Sequence, residues 1–136
     1  MYAQNGAARY RAVSGHGLVA DARPTRLVQI AFENILGHLA IAQGCMQRIK
    51  NDLPFTDVVA KCNAMNKAVL LMGHLDESLD MERGAEVAAN LHKLYQYMLE
   101  RLTVANATND ASLVVEVCGL MRQIKGAWDR IVADGL

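Results

Sequence analysis

Apolar residues recur at three- and four-residue steps through most of this chain. From Pro24 to Lys50 the series Val28, Phe32, Ile35, Leu39, Ala42, Met46 and Ile49 draws one stripe along a helix, and Leu27, Ala31, Ile41 and Cys45 draw another beside it. The spacing predicts a second helix over 54–79, with Val58, Cys62, Met65, Val69, Met72 and Leu79 on one line and Ala64, Ala68, Leu71 and Leu75 on the next. A third, over 85–105, carries Leu91, Tyr95, Met98, Leu102 and Ala105, flanked by Leu94 and Tyr97. A fourth carries Leu113, Val117, Leu120, Ile124, Ala127 and Ile131, with Val114, Cys118, Met121 and Trp128 to one side.

The breaks between these runs have their own chemistry. Pro24 and Pro54 are the only prolines, each placed where a first-turn proline loses no intrahelical hydrogen bond. "KNDLP" turns the chain after the first helix, and "DMERG" after the second, with Gly84 as the residue expected to take a special backbone conformation. "NATND" closes the third helix, and Asp110 is the predicted N-cap of the fourth, its carboxylate accepting an otherwise orphan amide. Short connections between long amphipathic helices favour antiparallel neighbours. The expected fold is all-α: an antiparallel up-down four-helix bundle over 24–136, with room for a short extra helix. Residues 1–23, rich in Ala, Gly, Ser and Asn, read as a flexible tail with a few apolar anchors, among them Tyr10 and Val13.

Length and charge narrow the function. A chain of 136 residues builds one domain with a substantial core. Fourteen basic residues against fourteen acidic ones, with no run of Lys or Arg, argue against a surface that displaces counterions from a nucleic acid or grips an anionic membrane. No stretch has the uncharged apolar length of a membrane span, and the N-terminus lacks the apolar core of a secretory signal. These features predict a cytosolic protein. Cys45, Cys62 and Cys118, odd in number and set on apolar faces, read as reduced, buried thiols.

Catalytic patterns do not emerge. A di-iron bundle needs Glu-x-x-His pairs facing inward, and no glutamate here has a histidine three places on. His74 and Glu77 stand in the reverse order, two ligands without a partner pair, and His38 and His92 read as surface or rim residues. No phosphate-binding glycine loop, nucleophile elbow or HExxH occurs. The reading is a non-enzyme without metal or cofactor. What the pattern leaves over is apolar surface: second stripes on three helices, with Met65, Met72, Met98 and Met121 suited to a groove that adapts to a helical ligand. A thick core or a homodimer seam would use the same residues.

One stretch carries a resemblance. Ser78-Leu79-Asp80, Glu82, Gly84, Glu86, Asn90-Leu91, Leu94-Tyr95, Tyr97-Met98, Arg101-Leu102, Ala105-Asn106 and Asp110 stand in the order of the signature of the FliS flagellar secretion chaperones. Trp128 matches that family's Ala-Trp, and weaker likeness runs from Tyr10 and Val13 to Pro24 and Leu27. The departures are local. The family's second glycine is Ala85, its Leu-Tyr-Asp-Gly in the first helix is Ala31-Phe32-Glu33-Asn34, and its serine before the opening proline is Arg23.

The resemblance implies a chaperone that binds the disordered C-terminal segment of flagellin in a hydrophobic groove. It would prevent premature polymerisation and assist delivery to components of the flagellar type III export apparatus. It also implies a tail that covers part of the groove, with Tyr10 and Val13 as its anchors. The residues expected to meet flagellin are Tyr10, Val13, Leu71, Leu75, Leu94, Tyr97, Met98 and Met121. Tyr95 is assigned to the core and Tyr97 to the groove, and Asn90 and Asn106 to ligand backbone or to bonds within the bundle. The expected state is a monomer or weak homodimer, and the rival reading is a generic helical adaptor that uses its surplus apolar faces for homodimerisation.

Overall fold

The computed structural model describes residues 24–50, 55–82 and 84–134. Four helices account for all its regular structure: α1 (Pro24–Lys50), α2 (Phe55–Glu77), α3 (Ala85–Thr108) and α4 (Ala111–Ala133). Helix α1 packs against α2 and α4, and α3 packs against the same two, so the helices occupy the corners of a square in chain order. Polar ties join each adjacent pair: Arg48 to Asp57, Asp76 to His92, Tyr97 to Glu116, and Gln29 to Asp129. Each tie matches an antiparallel neighbour, giving the up-down bundle expected from the short connections.

Helix ends follow their local chemistry. Pro24 opens α1 as predicted, while Pro54 and the tail anchors Tyr10 and Val13 lie outside the described residues. Asn109 ends α3 in the left-handed region at φ 55°, and Asp110 begins α4 in extended conformation, its carboxylate accepting from the Ser112 amide at 3.0 Å. The carboxyl of Asp110 is accordingly held below the usual range, the Ser112 side chain being the largest cause. Two adjacent residues thus terminate one helix and cap the next. Helix α3 runs three residues past the predicted end, and the Thr108 hydroxyl in that added turn bonds back to the Val104 carbonyl at 2.8 Å.

The α2–α3 connection departs from expectation. Gly84 is right-handed, at φ −83° and ψ −13°, and the special conformation falls on Ala85 at φ 32°. Gly84 is required for space instead: a Cβ there would lie 2.9 Å from the Asp80 carbonyl oxygen and 3.0 Å from the Ala88 Cβ. The glycine keeps the turn closed while its alanine neighbour carries the strained backbone.

The core combines the predicted stripes rather than choosing one. In α1, Phe32, Ile35, Leu39, Ala42 and Met46 are buried with Leu27, Ala31 and Cys45, but Ile41 is 53% exposed. In α2 the buried face is Lys61, Ala64, Met65, Ala68, Leu71, Met72 and Leu75, which takes in all of the second predicted line with Met65 and Met72 of the first, and Val69 faces out. A helix apolar around most of its circumference does not set its own rotation by periodicity; its neighbours set it. In α4 the buried residues Val114, Val117, Cys118 and Met121 come from both predicted lines. Cys45 and Cys118 are buried as expected, with burial pushing the Cys118 thiol up, while Cys62 is half-buried.

Candidate functional site

A cavity of about 370 Å³ opens at the end of the bundle where α1 and α3 begin and α2 and α4 end. Its walls are apolar: Val28 and Phe32 from α1, Leu75 from α2, Val87, Ala88, Leu91 and Tyr95 from α3, Ile124 and Trp128 from α4. Leu79 and Gly84 come from the α2–α3 connection, and Thr25, Ser78 and Asp80 add polar groups. The volume lies in the range of cavities that receive ligands, whose walls are mainly apolar with a few polar groups.

Trp128 sets one wall. Its indole Nε1–H donates to the Thr25 carbonyl at 2.8 Å, and its ring meets Phe32 edge to face, with centroids 6.4 Å apart and planes at 75°. Such an arrangement suits the ring quadrupoles. It fixes an indole that is only partly buried, so the end of α4 stays against the start of α1 without filling the space between them. The opposite wall depends on the turn after α2, where the Ser78 hydroxyl donates to the Leu75 carbonyl at 2.8 Å. Beneath that turn, Asp76 accepts from Gln96 Nε2 at 2.9 Å and pairs with His92 Nδ1 at 2.8 Å, tying α2 to α3.

Of the predicted contact residues within the described chain, Leu75 lines this cavity. Leu71, Met98 and Met121 are core residues at 3%, 0% and 0% exposure, and Met65 and Met72 are buried with them. The methionines fill the bundle interior as folded, which thioethers do as readily as they line a groove. Leu94 is half-buried against the core. Tyr97 is 40% exposed on the α3–α4 side, where its hydroxyl donates to Glu116 Oε2 at 2.6 Å. Arg101 donates from Nε to the other Glu116 oxygen at 3.0 Å and stands 5.4 Å from the Tyr97 ring centroid. Tyr95, assigned to the core from its stripe, is 3% exposed and also forms part of the cavity wall.

The opposite end of the bundle is closed by a buried cation. Lys61, 5% exposed, donates to the Asn106 carbonyl at 2.9 Å and to Asn109 Oδ1 at 2.6 Å, satisfying the last turn of α3. Asn106 therefore serves the bundle through its backbone, while Asn90 is exposed. His92 is exposed and His38 half-buried. Burial, and then the nearby Lys67 charge, lowers the His38 pKa. Among the described residues, no three His, Cys, Asp or Glu side chains gather to hold a metal ion, and His74 and Glu77 stand 4.0 Å apart as a pair. No described helix is long and apolar enough to cross a membrane.

Sequence reasoning missed Phe32, Leu91, Ile124 and Trp128 as cavity residues because each lies on a stripe that reads as ordinary core. The available signal was positional. Trp128 near the end of the last helix and Phe32 near the start of the first must meet in an up-down bundle.

Fold and site together define a helical-bundle protein with an open apolar cavity at one end. Residues 6–135 match the family described as flagellar protein FliS, and the chain belongs to that family of flagellar secretion chaperones. Flagellar secretion chaperone FliSB of Pseudomonas aeruginosa is 41% identical over 131 residues, covering 96% of this chain and 98% of its own length. Flagellar secretion chaperone FliS of Salmonella typhimurium is 38% identical over 132 residues, covering 96% of this chain and 93% of its own. The corresponding protein of Bacillus subtilis is 29% identical over 114 residues, 84% of this chain and 79% of its own.

Proposed function

We propose that this protein is a cytosolic chaperone that binds the disordered C-terminal segment of flagellin, keeps it from polymerising early, and assists its delivery to the flagellar export apparatus. The observation that carries the reading is the open apolar cavity between Phe32, Leu75, Tyr95 and Trp128, present in a member of a secretion-chaperone family. An amphipathic client segment offers apolar anchors at helical spacing, and a preformed cavity receives them without an ordering cost on the chaperone side. Each large aliphatic or aromatic anchor fully removed from water contributes about 1.5–3 kcal/mol. Leu75 is the predicted contact residue best placed for this role. Leu94 and Tyr97 extend the contact along the α3–α4 side, and Leu71, Met98 and Met121 support the surface from beneath.

The tail belongs to the same proposal. Pro24 and Thr25, the first residues of α1, lie in the cavity wall, which supports a role there for the segment that precedes them. Tyr10 and Val13 are the anchors that cover the cavity until the client displaces them. Proteolysis of the tail should therefore accelerate when the flagellin segment is added, and an unchanged rate would remove this part of the reading.

Calorimetric titration with the flagellin C-terminal segment, at several temperatures, tests the main proposal. One-to-one binding with a large negative heat-capacity change is expected for a client that folds as it binds. Absence of heat and of competition, with the protein folded, would reject it.

A further inference from the structure

Helices α3 and α4 begin in opposite ways. Helix α4 starts from Asp110 in extended backbone, with the carboxylate accepting from the Ser112 amide at 3.0 Å. Helix α3 starts from Gly84 in right-handed backbone, and no side chain caps it. The next residue, Ala85, stands at φ 32°, where a side chain crowds the carbonyl that follows it. The first turn of α3 is therefore strained, and it lacks the side-chain bond that commonly secures a helix start. It is also cavity wall. Gly84, Val87 and Ala88 line the cavity, and Val87 is 67% exposed.

The rest of α3 is held firmly. The Asp76 side chain, 9% exposed, pairs with His92 Nδ1 at 2.8 Å and accepts from Gln96 Nε2 at 2.9 Å, tying α3 to α2 from the end of its second turn onward. Ala88 is 4% exposed and Tyr95 3%, so the helix is packed into the core from Ala88 on. The Ala88 amide donates to the Gly84 carbonyl at 3.1 Å, closing the strained turn onto this fixed part.

We propose that the first turn of α3, Ala85–Ala88, is a yielding lip of the cavity, which unwinds as a client anchor enters and releases the strain at Ala85. The proposal rests on the flagellin reading for the identity of the client, and on the geometry of the turn for the motion. Strain that is present in the empty form and absent from the occupied one favours occupation, because a ligand shifts an equilibrium by whatever differs between its two states. Unwinding also frees Val87, already mostly in solvent, to turn onto the client. The tie from Asp76 to His92 and Gln96 stops the unwinding at the second turn, so the rest of the wall keeps its shape.

Ala85→Gly tests the lip, because relieving strain in the closed turn acts against opening. The reporters are the amides of Ala88, Ala89, Asn90 and Leu91, whose helical acceptors are the carbonyls of residues 84–87. In native-state hydrogen exchange of the full chain without client, these four amides are expected to exchange through an opening smaller than global unfolding. Ala85→Gly is expected to slow them about two- to fivefold while raising the melting temperature. Calorimetric titration with the flagellin segment is expected to show Ala85→Gly binding about two- to fivefold more weakly than the parent protein, by the same relief of strain. A merely structural role for Ala85 would raise stability without weakening the client. Exchange that is unchanged or faster in Ala85→Gly, or client binding that is equal or tighter, would overturn the lip. Absence of binding by both proteins would reject the flagellin reading instead, and the exchange comparison would then decide the lip by itself.

Discussion

The indole of Trp128 donates a hydrogen bond to the carbonyl of Thr25, joining the last turns of the chain's final helix to the first turn of its opening one at 2.8 Å. That bond closes the square of helices at the end where the cavity lies. It holds Trp128 half in the wall and half in solvent, where a client can reach it.

Trp128→Phe keeps a ring against Phe32 and loses the bond. The expected cost is about 1 kcal/mol, read as a lower urea midpoint with an unchanged slope. Trp128 is also the chain's single tryptophan, so its emission should shift to the blue when an apolar client segment fills the cavity. An emission maximum that stays fixed at saturating flagellin segment would place the client elsewhere.

Ala85 and Gly84 should respond in opposite directions to substitution. Ala85→Gly relieves a backbone at φ 32°, and a gain of about 0.5–1 kcal/mol is expected. Gly84→Ala drives a methyl against the Asp80 carbonyl, and a loss of about 1–3 kcal/mol is expected. Thermal unfolding of the two variants beside the parent protein checks the pair.

Lys61→Met should destabilise the bundle by about 1.5–3 kcal/mol, because the carbonyl of Asn106 and the side chain of Asn109 lose a charged donor at a buried helix end. Amide exchange should accelerate first in the last turn of α3. Uniform acceleration across all four helices would show that Lys61 stabilises the whole bundle rather than its closed end.

The Glu116 carboxyl is held below its ordinary range by the Tyr97 hydroxyl first and Arg101 second. A carboxylate shifted this way contributes stability that is complete above its unfolded value of about 4.3 and disappears as pH falls through the lower folded value. Tyr97 shifts the other way, its pKa raised by the bond to Glu116, so its contribution is present below the unfolded value of about 10 and lost as pH rises through the folded one. Carbon-detected titration should find the Glu116 midpoint depressed, and Tyr97→Phe should move it back up. The group is exposed, so the effect on global stability will be small.

The sequence alone determined that this protein is four helices in antiparallel order, because apolar spacing and short polar breaks are local properties. It determined the N-cap at Asp110 for the same reason, a carboxylate acting on an amide two residues away. The block from Ser78 to Asp110 was also enough to show the family. Only the tertiary structure decided which residues of the two apolar lines of α2 are core, since a helix apolar on most sides is oriented by its neighbours. That rotation put Leu71, Met72 and Leu75 inside and left Phe55, Val59 and Val69 facing out. Only the tertiary structure placed the cavity, whose walls at Phe32, Leu75, Tyr95 and Trp128 come from four separate helices. No periodicity within one helix records which of its buried residues will lack a neighbour at the bundle's end. That gap exists only once all four helices are packed together.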